Sequence, residues 1–216
     1  MIALINLENE LWTPEVGPDI NDPAATAYSI VHTPAGLVLL MNSVVPYGGW
    51  LAKQVSPLLF PAKHITMFFD LMIDDATPYT AQVIETDAKI TDEEGWTYDL
   101  SAQFNLAKGW MFEVDEVNAN GNWSWVSTGI QVKPLRPLRP AEVEIAYELD
   151  YEAHTSSILS VTIDEDVYEV DPRFHGLTAM QVGWQKKTIV SQLQQCNNSQ
   201  PGGYELRFNN IGYTLE

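Results

Sequence analysis

Between Glu142 and Glu152 the chain alternates without a break. Val143, Ile145, Tyr147, Leu149 and Tyr151 are apolar or aromatic, while Glu142, Glu144, Ala146, Glu148, Asp150 and Glu152 are, but for one alanine, acidic. A period of two is that of a β-strand with one face buried and the other facing water or a cleft. The pattern also fixes the register, because a slip of one residue would bury five carboxylates together, and burying even one unpaired carboxylate is expensive. The alternation recurs three times. Tyr98, Leu100, Ala102 and Phe104 alternate with Asp99, Ser101, Gln103 and Asn105; Leu159, Val161 and Ile163 with Ser160, Thr162 and Asp164; Tyr204, Leu206 and Phe208 with Glu205, Arg207 and Asn209.

Less regular runs at Ile2–Leu7, Ala27–His32, Leu37–Ser43, His64–Ile73, Thr80–Ile90, Met111–Val117, Trp123–Ile130 and Met180–Gln185 read as further strands. Turn residues such as Asn120-Gly121 and Gly202-Gly203 separate them. About a dozen strands exceed what one open sheet usually holds, so an all-β, two-sheet antiparallel sandwich is predicted. Helix signals are few; Asp22-Pro23-Ala24-Ala25 suits a short capped turn. Lys133 to Pro140 reads Lys-Pro-Leu-Arg-Pro-Leu-Arg-Pro. Its prolines cannot donate to a ladder, so it is expected to be a rigid crossover between the sheets.

The 216 residues fit one sandwich domain spanning 1–216. The single cysteine, Cys196, excludes an intramolecular disulfide. The first basic residue is Lys53, so Met1–Leu11 lacks the positive n-region of a secretory signal, and the compartment is left open. The apolar run Leu37–Met41 is far below the roughly 18 residues of a membrane span. The formal net charge is −18, which repels phosphate backbones and anionic lipid heads. Nucleic acid and membrane are therefore not expected partners; neutral ligands and cations are compatible with this charge.

The last third has a distinctive order. A long alternating strand is followed by Ser157–Asp164, then Val167-Tyr168-Glu169-Val170, then Val182-Gly183-Trp184-Gln185 and the glutamine-rich Ser191–Gln195, and it closes with Tyr204-Glu205-Leu206-Arg207-Phe208-Asn209-Asn210-Ile211. This resembles the C-terminal half of the concanavalin A-like lectin and glucanase domains. Asp99–Phe104 and Trp125–Ile130 suit the same jelly roll, so the likeness covers residues 64–215. It implies a carbohydrate ligand, most simply a neutral glycan. The superfamily also holds hydrolases, lyases and adhesion modules, so the fold does not choose among them.

Glu148-Leu149-Asp150-Tyr151-Glu152 resembles the E-x-D-x-E signature of laminarinase- and lichenase-type glucanases. By that likeness Glu148 would be the nucleophile, Asp150 its modulator and Glu152 the acid/base. A retaining glycosidase holds its two carboxyls about 5–5.5 Å apart. Residues i and i+4 on a straight strand lie about 13 Å apart, so strong curvature would be needed. The acidic face continues back through Glu144 and Glu142, which reads equally as a hydrated strand face.

Two oxygen-rich stretches are candidates for calcium, which takes six to eight oxygen ligands: Glu85 with Asp87, and Asp19 with Asp22. Neither has EF-hand spacing, and no other cofactor is expected. Trp96, Trp110, Trp123 and Trp125 are candidates for stacking on sugar rings, with core packing as their other reading; Trp184 reads as core. Phosphate-binding loops, zinc motifs and nucleophile elbows are absent. The leading expectation is a non-catalytic, lectin-like carbohydrate-binding domain. The alternatives are a retaining glycoside hydrolase using Glu148 and Glu152, and an acidic protein-interaction module.

Overall fold

The computed structural model describes residues 2–7, 10–15, 26–34, 36–43, 49–117, 121–182, 184–197, 199 and 202–216. They form two antiparallel sheets with a hydrophobic core between them. The first sheet runs, edge to edge, β14 (Asp166–Glu169), β13 (Thr155–Ile163), β12 (Ala141–Asp150), β6 (His64–Ile73), β18 (Gly202–Leu215), β4 (Gly36–Ser43) and β3 (Thr26–Thr33). β1 (Ala3–Asn6) joins β18, and β15 (Leu177–Thr178) joins β13. The second sheet runs β11 (Trp123–Gln131), β10 (Met111–Val117), β9 (Ala102–Asn105), β7 (Ala81–Thr91), β17 (Thr188–Asn197), β5 (Gly49–Pro57) and β2 (Thr13–Glu15). β8 (Trp96–Asp99) pairs with β7, and β16 (Met180–Gln181) with β8.

The alternation on β12 is realised as predicted. Val143, Ile145, Tyr147 and Leu149 are buried and Glu142, Glu144 and Asp150 are exposed. The strand ends at Asp150, so Tyr151 and Glu152 belong to the turn that follows. Across it on β13 the predicted phase shifts. Tyr147 pairs with Ile158 and Ala146 with Ser160, which leaves Leu159 as the extra residue of a bulge. Ile158, Val161 and Ile163 enter the core and Leu159 does not.

β18 is longer than its alternating segment because it too is bulged. Asn209 pairs with Asp70 and Gly212 with Phe68, so Tyr204, Leu206 and Phe208 are buried before the bulge, Ile211 within it, and Tyr213 and Leu215 after it. The stretch expected as one strand over Tyr98–Phe104 is divided into β8 and β9, though its four apolar side chains all reach the core. β5 and β17 escape the alternation rule. On β17, Ser191 and Gln195 take buried positions alternating with Ile189 and Leu193, and Ser191 is satisfied there by the Tyr213 hydroxyl at 2.9 Å. The segment 133–140 crosses from β11 in the second sheet to β12 in the first, as its prolines led one to expect. The expected turn at Asp22–Ala25 lies outside the described residues.

Candidate functional site: the outer face of the second sheet

Ile84, Ala88 and Ile90 of β7 belong to the core, so alternation turns Val83, Glu85, Asp87 and Lys89 to the opposite face. On β9, Ala102 and Phe104 point inward and Gln103 and Asn105 outward; on β10, Phe112 and Val114 point inward and Glu113 and Asp115 outward. The outward face of this sheet should be wet. Instead Glu85, Asp87, Asp99, Ser101, Gln103, Asn105 and Glu113 are all less than a tenth exposed.

The pairing lays these groups out in rows. One row runs Lys53, Gln192, Asp87, and reaches Ser101 and Asp115 through Asp115 N–H donating to Ser101 O at 3.4 Å; Trp125 stands opposite Asp115 on β11. The next runs Gln194, Glu85, Gln103, Glu113 and Ser127. Glu113 is well satisfied. Its carboxylate accepts from Gln103 Nε2 at 2.6 Å, Asn105 Nδ2 at 3.0 Å and Lys108 Nζ at 2.7 Å. Burial opposes its charge, but those three donors hold its pKa below the usual range.

Lys89 donates to Asp99 and, at 3.1 Å, to Ser101 Oγ. Burial disfavours its charge, yet Asp87 and Asp99 hold its pKa above the ordinary lysine value. Asp87 Oδ1 has no hydrogen-bond partner. Burial first, then the charge of its neighbour, raises Glu85; burial raises Asp87 against the pull of Lys89. Asp115 is pushed up to about 7 by burial and by the negative charge of Asp99. Five carboxyl groups thus share one face with the ammonium groups of Lys53, Lys89 and Lys108, and burial with mutual repulsion raises Glu85, Asp87 and Asp115 above the ordinary carboxylate range.

Trp184 is not core. It is 39% exposed and, with Lys53, Val55, Lys89, Val190 and Gln192, lines a groove of about 260 Å³ on this same face. A large indole beside amides and charged tips is the mixed surface that polar ligands with apolar faces require.

The sequence-derived candidates fall in several places. Glu85 and Asp87 lie at the centre of this face. A calcium ion there would compete with the Lys89 ammonium, and among the described residues no group of three or more His, Cys, Asp or Glu is arranged to hold a metal. Asp19 and Asp22 lie outside the described residues. Trp125 stands at the rim of the polar row; Trp123 pairs with Val117 on the same strand, and its side chain is outside those described. Trp110 is buried in the core cluster. Trp96 stacks on the His154 ring at 4.0 Å, away from the groove.

Glu148, Asp150 and Glu152 belong to the first sheet and its following turn. Glu148 is ion-paired with Lys63 at 3.1 Å. Asp150 Oδ1 accepts the backbone N–H groups of Glu152 and Ala153 at 3.0 and 2.9 Å. Because β12 ends at Asp150, Glu152 lies in the turn that follows and not on the strand. Sequence reading missed Lys89, Asp99, Ser101, Gln103, Glu113, Asp115 and Gln192 as a group. The signal present was the all-polar set 99, 101, 103 and 105 beside the all-polar set 85, 87 and 89; only pairing shows that they adjoin.

No protein-family model matches this chain, and no curated protein sequence matches it. Solved structures do. An alginate lyase from a Chlorella virus aligns with TM-score 0.53 at 8% identity over 88% of this chain and 90% of its own. A structure of carbohydrate-binding modules of the β-sandwich superfamily aligns with TM-score 0.47 at 14% identity; it covers 98% of this chain, which spans 61% of that one. Peanut lectin in complex with a nine-residue peptide aligns with TM-score 0.47 at 11% identity, over 100% of this chain and 97% of that one. At these identities the likeness is one of fold, an antiparallel two-sheet β-sandwich.

Proposed function

We propose that this protein is a carbohydrate-binding jelly roll whose ligand, a neutral glycan, lies along the outer face of the second sheet. The observation that carries the reading is the groove beside Trp184. There an exposed indole adjoins Gln192 and Lys53, and the polar row leads on through Asp87 and Ser101 to Asp115. Sugar hydroxyls are served by amides and carboxylates, and the apolar face of a ring by the indole. Asp87 Oδ1 and Asp115 Oδ1 have no hydrogen-bond partner, so each has capacity to engage a sugar hydroxyl. Their negative charge does not oppose a neutral ligand.

The test is affinity electrophoresis through gels containing neutral β-glucans, with Trp184→Ala and Gln192→Ala beside the wild type. The expected result is retardation of the wild type and weakening of about tenfold in each variant, in line with the loss of about 1.4 kcal/mol that a tenfold change represents. A folded wild type that migrates freely through every glycan would overturn the reading.

A second reading, acid–base chemistry on the bound sugar, is favoured by one observation. Asp115 is held at about 7, within reach of either protonation state at neutral pH, and faces Trp125 on the same surface. Release of reducing ends from a neutral glucan by the wild type, abolished in Asp115→Asn with binding retained, would select this reading over simple binding.

A further inference from the structure

We propose that the crossover between the two sheets carries an oxyanion site in which Arg136 and Arg139 together take a carboxylate, sulfate or phosphate group. The pocket that holds this site shares no lining residue with the groove beside Trp184, and the proposal does not depend on that groove.

The chain has 29 acidic residues against 11 basic ones, so each cation has a surplus of partners. Lys63, Lys89, Lys108, Lys133 and Lys187 are each ion-paired, and Arg207 is paired with Glu205. Arg173 donates to Ser127 O at 2.7 Å and lies over the Phe174 ring. Arg136 and Arg139 are the two arginines with no partner among the described residues.

Their placement is rigid. Pro134, Pro137 and Pro140 fix φ at every third position, and Leu135 is buried as an anchor. Arg139 N–H donates to Arg136 O at 3.3 Å, closing a turn with Pro137 and Leu138 at its centre. Such a turn holds its first and fourth Cα atoms within about 7 Å, so the two arginines leave the backbone side by side. Both line one pocket of about 320 Å³.

Leu138 has φ of 60°, a left-handed conformation that a leucine rarely adopts. Its side chain is 62% exposed, so burial does not compensate, and its N–H is spent on Ile73 O at 2.8 Å. The strained geometry therefore serves the shape of the turn, and the turn sets the two guanidinium groups together.

The acids that face this pocket are already engaged. Asp166 holds Lys133 at 3.3 Å, and Asp164 Oδ1 accepts Glu142 N–H at 3.0 Å. Three basic and two acidic side chains line the wall, a net positive spot on a chain of formal charge −18. Two adjacent like charges repel, and a planar or tetrahedral oxyanion spanning both relieves that repulsion while accepting the forked N–H donors.

The experiment follows the arginine Nε–H resonances of the intact protein at constant ionic strength while inorganic phosphate, galacturonate or glucose is added. Arg136 and Arg139 should shift together and saturably with phosphate and with galacturonate, and not with glucose. Arg173 and Arg207 should stay in place. Tighter binding of galacturonate points to an acidic glycan, and tighter binding of phosphate to a phosphorylated ligand; either supports the site. The double variant Arg136→Gln/Arg139→Gln should lose at least tenfold in affinity with an unchanged melting temperature, since both side chains are exposed. Asp164→Asn, which keeps an acceptor for Glu142 N–H, should bind more tightly. Equal, unsaturable shifts of all four arginines, or undiminished binding in the double variant, would overturn the proposal.

Discussion

Glu85 and Asp87 stand two residues apart on the outward face of β7, and both are more than nine-tenths buried. The Lys89 ammonium at this end of the face is hydrogen-bonded to Asp99. Burial, and for Glu85 the charge of Asp87, therefore raises both pKa values above the ordinary carboxylate range.

Stability should accordingly fall as pH rises from about 5 to about 8. Glu85, Asp87 and Asp115 have raised pKa values in the folded state, so the native protein holds protons that the unfolded chain, with carboxyls near about 4, has released. Their contribution is full below about pH 4 and is lost as pH climbs through the folded values, about 7 for Asp115. Glu113 works in the opposite sense, being lowered, and its contribution fades as pH falls below about 4. Melting temperatures recorded from pH 3 to pH 9 should peak near about pH 4–5. Asp115→Asn should flatten the slope between pH 5 and pH 8; a wild type that melts higher at pH 8 than at pH 5 contradicts this account.

Glu113→Ala should destabilise the protein by about 2–5 kcal/mol. It removes the shared acceptor of Gln103 and Asn105, whose buried amides would each be left short of a partner. Glu113→Gln should cost less, because one amide oxygen still accepts. Urea denaturation of the two variants distinguishes them, and equal loss in both would show that the carboxylate's charge, not its acceptor geometry, matters.

Leu149→Asp should prevent folding or nearly so, while Glu144→Gln should stay within about 0.5 kcal/mol of wild type. Leu149 is 1% exposed, and Glu144 lies on the wet face of the same strand. Circular dichroism on the two purified variants suffices to compare them. Comparable melting of both would mean that β12 is not half-buried.

Gly36→Ala should be strongly destabilising, by about 2 kcal/mol or more. Gly36 has φ of 111°, and an added Cβ would fall against the Asn209 side chain and the Phe208 carbonyl of β18. A melting temperature within a degree or two of wild type would show that the turn joining β3 to β4 can relax.

Glu148→Gln should leave glycan retention unchanged while Trp184→Ala weakens it, because Glu148 lies on the first sheet and Trp184 lines the groove on the outer face of the second. The reverse outcome in the same gel would move the site to the first sheet.

What the sequence determined by itself was the class of fold and the inward set of each regular strand. Those follow from a local rule, since successive side chains on a strand point to opposite faces and carboxylates cannot replace leucines in a core. The rule failed where the ladder is irregular. At Leu159 and again after Asn209 one or two unpaired residues reset the phase, and a bulge is a property of two strands together. It also failed at β17, whose glutamines and serine look hydrated until Tyr213 from the other sheet supplies a partner for Ser191.

The candidate site was decided by tertiary structure. Glu85, Gln103 and Glu113 are remote in sequence and become neighbours only because β7, β9 and β10 pair in one register. Glu148, Asp150 and Glu152, close in sequence, are instead held by Lys63 and by a turn that ends their strand. Adjacency in sequence constrains direction along a strand, but which charges meet is set by the partner strands, and those are chosen by the burial of the apolar face rather than by the polar groups on the other side.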